Sequence, residues 1–110
     1  MREYFVNKDD LNNISKQEDI IIKSISLNNV MMTYMEFKPH TKMPLHKHTN
    51  EQISFILKGS IEMIIDGKIK ILKPGDFAII PANIEHAGNI LNDFTIIVDS
   101  WSPIREDYKQ

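Results

Sequence analysis

Cysteine is absent from the 110 residues. Its absence excludes disulfides, thiolate metal ligands and a thiol nucleophile together. A surplus of positive charge is also missing: 13 Lys and Arg stand against 15 Asp and Glu, a net charge of −2. The chain therefore lacks the basic footprint of a nucleic-acid binder. No apolar run approaches the ~20 residues needed to cross a bilayer, so no membrane partner is expected. The N-terminus, Met1-Arg-Glu-Tyr-Phe-Val6, lacks the charged-then-apolar pattern of a secretory leader, and a cytoplasmic location is the expectation. Repeats, low-complexity stretches and a sustained helical period are lacking as well. What is present is an ordinary globular composition, 42% apolar and 25% charged, in a length suited to one domain with a single core.

Residues 1–19 are polar and rich in turn formers, such as Asn7, Asp9, Asp10, Asn12 and Asn13. They read as an arm with room for one short helix between residues 8 and 19. From Ile20 the texture changes. Segments 20–25, 30–37, 52–58, 61–65, 68–72, 77–80 and 94–101 read as strands. They are punctuated by Asn28-Asn29, Gly59, Asp66-Gly67, Pro74-Gly75 and Pro81. Short strands at close spacing predict an all-β sandwich or barrel. Met31, Met32 and Met35 are read as gap-filling core. Segment 38–44 and the stretch from Pro81 to His86 read as loops.

The stretch that organises the rest is Pro44-Leu-His-Lys-His-Thr-Asn-Glu-Gln52. On an extended strand residues i and i+2 share a face. His46 and His48 thus project together at a spacing that lets two imidazoles grip one ion, and imidazole suits Zn, Cu, Fe and Ni. Beyond them the alternation puts Gln52, Ser54 and Ile56 on one face and Ile53, Phe55 and Leu57 on the other. If Gln52 faces inward, the second set is a row of large apolar side chains that needs cover. The arm, loops of a second sheet or a partner subunit are the candidates, and a homodimer is expected. Ser54 has no matching base in sequence. Glu51 falls on the wrong face to join Gln52, and His40 reads as a loop surface residue.

With these residues in view, the chain resembles the cupin superfamily. The first cupin motif runs Gly, five residues, His-x-His, three or four residues, Glu, six residues, Gly. His46, His48, Gln52 and Gly59 match its frame, with His40 at the leading Gly position and Gln52 at the acidic one. The second motif runs Gly, five residues, Pro-x-Gly, two residues, His. It is matched by Gly75, Pro81 and His86, with Asn83 at the second Gly. The resemblance implies a single-domain jelly-roll β-barrel over residues 20–110, holding a metal on His46, His48, Gln52 and His86. A narrower likeness is to the KdgF-type pectin-degradation cupins. It rests on His-x-His-x-x-Glu-Gln, on Phe5-Val-Asn7, and on the ending Asp99, Trp101, Ser102, Pro103, Arg105, Glu106, Asp107 and Tyr108. Trp101 stands where that family more often has Phe.

That family uses three His and one Gln around its metal, which accounts for Gln52. It converts 4,5-unsaturated uronates, released from pectin or alginate, into linear keto sugars. The resemblance thus implies a small sugar acid as substrate and a divalent transition metal, Ni, Fe, Mn or Zn, as cofactor. Four neutral ligands leave the ion its full charge, favouring Lewis-acid chemistry. They would already fill a tetrahedral Zn site, so an octahedral ion suits better. Asp99 and Trp101 are i and i+2 on the last strand and share a face. The residues alone leave two readings, strand cap and core aromatic or functional pair. The second makes Asp99 the catalytic general acid/base and Trp101 a wall for the sugar ring. Arg105 offers a forked donor that matches a uronate carboxylate, and the family likeness places it in catalysis and substrate binding. Two rival readings are another cupin enzyme, such as a metal-dependent dioxygenase, and a non-catalytic sugar-acid-binding cupin.

Overall fold

A computed structural model describes residues 3–110; Met1 and Arg2 of the arm lie outside the described residues. The described residues form nine strands: β1 Ile20–Ser26, β2 Met31–Phe37, β3 Lys42–His46, β4 Glu51–Lys58, β5 Ile61–Ile65, β6 Lys68–Leu72, β7 Phe77–Ile80, β8 His86–Ile90 and β9 Thr95–Ser102. They make two antiparallel sheets, a five-stranded one in the order β1-β2-β9-β4-β7 and a four-stranded one in the order β3-β8-β5-β6. The two close on each other as the single-domain jelly-roll barrel expected from the motifs. Among the described residues no helix is long and apolar enough to cross a membrane.

Alternation decides the core. Strand β9 buries Thr95, Ile97, Asp99 and Trp101, and β2 buries Met31, Thr33, Met35 and Phe37. Ile20, Ile22, Met35, Phe37, Ile56, Ile61, Leu72, Ile80, Ile90 and Ile97 form one apolar cluster between the sheets. At that end of the barrel the inward positions are apolar. At the other end the inward positions of the same strands are polar, and the site lies there. Met31 and Met35 are core as expected, whereas Met32 is on the outer face and 43% exposed.

Two strands differ from the sequence reading. The expected loop over 38–44 becomes a strand from Lys42, because β3 is an edge strand, where the N–H that Pro44 lacks is not needed for the ladder. Strand β8, His-Ala-Gly-Asn-Ile, carries little strand propensity of its own. It is held by β3 on one side and β5 on the other, and tertiary pairing overrides composition there. Gly88 at its centre sits under two side-chain tips: a Cβ there would stand 2.9 Å from Ile61 Cδ1 and 3.0 Å from Met43 Cε, so any larger residue must push those tips aside.

The departures from the motif glycines also have a backbone explanation. His40 and Asn83 hold φ of 66° and 64°, the left-handed region that glycine adopts without steric cost. These positions keep the turn the motif uses and bear its strain, which an Asn side chain tolerates better than most. The arm is not loose. A 3-10 turn at Lys8–Asp10 is capped by Asn7, whose side chain accepts from Asp9 N. Asn13 Oδ1 accepts from Ile22 N at 3.0 Å, and Ile14 N donates to Ile22 O at 2.9 Å. The segment therefore runs beside β1 and forms part of the cavity wall.

Candidate metal centre

The site is assembled from cross-strand pairs. On the five-stranded sheet, Gln52 faces Trp101 and Ser54 faces Asp99 across the β4–β9 ladder, and Asp99 also faces Thr33 of β2. On the opposite sheet, His46 of β3 faces His86 of β8. A register shift between Met43 and His46 re-aims the end of β3. The strand stops at His46, so His48 lies just past it in the connection to β4 rather than on the extended strand expected for the pair. The turn brings it back: the His46 and His48 ring centres are 5.6 Å apart, His46 and His86 4.3 Å, and His48 and His86 4.8 Å. One nitrogen from each of the three lies within 4.8 Å of the others.

Each ring is oriented by its other nitrogen. Nδ1 of His46 meets Pro44 O at 2.8 Å, Nδ1 of His48 meets Asn50 O at 3.0 Å, and Nδ1 of His86 meets Ile84 O at 2.8 Å. A carbonyl oxygen only accepts, so all three Nδ1 atoms donate, and in the neutral rings each Nε2 is left with a free lone pair. Nε2 of His86 is buried and has no hydrogen-bond partner among the described residues. Gln52 donates through Nε2 to Ser54 Oγ at 3.1 Å, which turns its Oε1 toward His48 Nε2, also at 3.1 Å. Two lone pairs then face each other. A proton or a cation between them relieves that contact, as does a flip of the Gln52 amide that turns its Nε2 toward His48 and its Oε1 toward the Ser54 hydroxyl. Three convergent imidazole lone pairs and an amide oxygen suit a divalent metal, with the neutral-donor chemistry of nitrogen-rich sites.

Burial pushes the His86 pKa below its ordinary 6.5, with His46, His48 and Arg105 acting in the same direction and the Ile84 carbonyl opposing. That ring therefore stays neutral, and able to bind metal, to lower pH than a free imidazole. Beside the group, Asp99 is 3% exposed and its Oδ1 has no hydrogen-bond partner among the described residues. Burial pushes its carboxyl up from 3.8 to about 6, partly offset by Ser54, Gln52 and Arg105. Trp101 is buried, with its indole N–H donating to Thr33 Oγ1 at 3.0 Å and its ring 5.4 Å from that of His48.

A cavity of about 500 Å³ opens beside these groups, lined among others by His46, Gln52, His86, Asp99, Trp101 and Arg105. All the residues singled out in the sequence for metal, proton transfer and substrate are thus brought to one end of the barrel. Glu51 and His40 are exposed and take no part. Sequence reasoning assigned no role to Tyr108, Thr33 or the arm residues Ile14 and Lys16, which also shape the cavity or its walls. Thr33 had a weak signal, its place between Met31 and Met35 on the buried face of β2. Lys16 and Ile14 had none, since only folding lays the arm there.

Comparison with known proteins agrees with this architecture. The cupin domain family matches residues 33–93. The pectin degradation protein KdgF of Dickeya dadantii (strain 3937) is 32% identical over 111 residues, spanning 98% of this chain and 99% of that one. Among solved structures, an RmlC-like cupin from Shewanella frigidimarina superposes with a TM-score of 0.91 at 23% identity, covering 98% of this chain and 97% of its own. KdgF from Halomonas sp. superposes with a TM-score of 0.85 at 24% identity, covering 97% and 98%; these two likenesses speak to the fold alone. A polar barrel end built on His-x-His, Gln and a distant His, matched along nearly the whole chain, places this protein in the cupin family, among the KdgF-type pectin-degradation proteins.

Proposed function

We propose that the protein is a metal-dependent isomerase that opens 4,5-unsaturated uronates from pectin or alginate breakdown into linear keto sugars. The observation that carries this reading is the buried Asp99 carboxyl, unpartnered at Oδ1, on the wall shared with Gln52 and facing three convergent histidines. In this reading His46, His48, Gln52 and His86 hold the metal, which when bound supplies Lewis-acid polarisation of a substrate oxygen. The ring opens as the C1–O5 bond breaks and the anomeric hydroxyl loses its proton. C5 is left as an enolate, and delivery of a proton to C4 gives the ketone. Substrate and product are isomers, so the reaction consumes neither water nor an oxidant. Asp99 moves the proton, and a carboxyl with a pKa near 6 exists in both forms close to neutrality, as a group that both takes and gives a proton must. Trp101 walls the sugar, and Arg105 receives its carboxylate.

The test is turnover of an unsaturated monouronate, followed as loss of its ultraviolet absorbance, with metal-loaded and chelator-stripped protein. Loss of absorbance only in the loaded sample is the expected result. Binding without turnover would instead identify a sugar-acid-binding cupin, and oxygen uptake by iron-loaded protein a dioxygenase.

A homodimer is part of the same proposal. Ile53 pairs with Ile79 and Phe55 with Phe77 across β4 and β7, and Phe55 pairs with Val98 on β9. Phe77 and Ile79 are 63% and 71% exposed. An apolar face of this kind needs cover, and a two-fold contact lets one patch cover its own copy. An Ile79→Glu substitution introduces its charge twice at such a contact. Light scattering is expected to give twice the chain mass for wild type and the single-chain mass for the variant. A monomeric wild type would remove the dimer.

A further inference from the structure

The end of β9 and the tail after it are tied across the barrel mouth by hydrogen bonds to the β3–β4 connection, the β1–β2 turn and β1. Asn50 Nδ2 donates to Pro103 O at 2.7 Å and to Ile104 O at 3.3 Å, Ser102 Oγ donates to Asn29 O at 2.9 Å, and the Ser24 hydroxyl donates to the Tyr108 carbonyl. The tail sets Arg105 in a corner made by two rings. Its Cζ is 5.0 Å from the centre of Trp101 and 4.0 Å from that of Tyr108, and the rings meet edge to face at 5.7 Å. The rings limit where the guanidinium plane lies; they do not fix which edge of it faces the cavity. Asp107 supplies that constraint. Arg105 Nε donates to Asp107 Oδ1 at 3.1 Å and Nη2 to Oδ2 at 2.6 Å. The Arg105 side chain is 18% exposed and that of Asp107 60%.

We propose that Asp107 is a positioning residue that aims Arg105 at the substrate's carboxylate, an inference that rests on the uronate reading above. Guanidinium carries five N–H groups in a rigid fork. Asp107 occupies the Nε–H and one N–H of Nη2. The Nη1–Nη2 end has no partner among the described residues and matches a second carboxylate bidentately. Two carboxylates thus flank one guanidinium, one from the chain and one from the ligand. Arg105 and Asp107 both line the cavity, so the orienting bond is made where the ligand binds. An ion pair whose carboxylate stands in solvent adds little to stability, so the value of this pair lies in geometry rather than in folding.

Asp107→Asn keeps the size of the side chain but replaces one of the two acceptors with a donor. The KM for the unsaturated uronate is expected to rise about tenfold, with the loss falling on KM rather than kcat. The KM for its neutral methyl ester should move less than about twofold. Asp107→Glu, which keeps the charge, should recover part of the loss. Equal effects on acid and ester, or no effect on either, overturn the proposal. A second measurement needs no substrate. Trp101 is the sole tryptophan and lies against the Arg105 guanidinium, so its emission reports the cation's placement. Asp107→Asn is expected to change the emission of the unliganded protein while leaving its melting temperature within a few degrees. Unchanged emission overturns the proposal. If wild type neither binds nor turns over uronate while the emission does change, the uronate reading fails and the orienting role of Asp107 stands.

Discussion

Asp99→Asn is expected to reduce turnover of the unsaturated uronate about 10³-fold, within the range that a positioned general acid/base contributes, while making the metal-free protein more stable above pH 6. The two effects share one cause. Asp99 is buried with an unpartnered Oδ1, and its carboxyl is raised from 3.8 to about 6. Below pH 3.8 the carboxyl is protonated in both folded and unfolded chains, so it costs nothing. As pH rises through 6 the folded chain must ionise a group that the unfolded chain has already ionised in water. The difference destabilises the fold by about 3 kcal/mol at neutral pH. An amide of the same shape carries no charge and avoids that cost. In the absence of metal, the variant should melt about 10–15 °C above wild type at pH 8 and within about 3 °C of it at pH 4. Thermal melts at the two pH values check the first half, and the ultraviolet assay the second. A variant as fast as wild type would end the role of Asp99 in proton transfer. A variant no more stable at pH 8 would mean that the buried carboxyl has a partner in solution. Function placed where it costs stability is the usual trade at active sites.

His86→Ala is expected to weaken metal binding by at least about a hundredfold, since even removal of groups that only orient metal ligands costs tenfold to a hundredfold. Ligand binding to the folded state alone stabilises by RT ln(1 + [L]/Kd), or about 2.7 kcal/mol at a hundred times Kd. Wild type should therefore melt higher with saturating Ni, Mn or Fe(II) than with chelator, and His86→Ala should show no such rise at the same metal concentration. The bound metal can be counted directly by elemental analysis. Because the ring must be neutral to bind and burial already favours its neutral form, His86 should continue to serve as a ligand below pH 6.5. A wild type that gains no thermal stability from any divalent ion would remove the metal from the mechanism.

Much of this centre was legible before folding, and the reasons are specific. His46 and His48 are close in the chain, so any backbone that turns locally brings them together. Gln52 and Asp99 lie in strands whose period-2 pattern is clean, which fixes the face each one occupies: Gln52 inward with Ser54 and Ile56, Asp99 inward with Ile97 and Trp101. Strand β8 was not legible, because Ala87, Gly88 and Asn89 carry no strand preference and owe their conformation to the neighbours on either side. The strand at Lys42–His46 was hidden by Pro44, which is harmless only at a sheet edge.

The amino-acid order by itself determined the β class, the inward and outward faces of β4 and β9, and the identity of the polar residues that could meet, since these depend on alternation and local spacing. Only the tertiary structure decided that His86 pairs across the ladder with His46, that Asp99 is left buried with Oδ1 unpartnered, and that Arg105 rests between Trp101 and Tyr108 with Asp107 on one edge. Those are relations between segments far apart in the chain. They arise from strand register, sheet closure and the path of the tail, none of which a local pattern of residues contains.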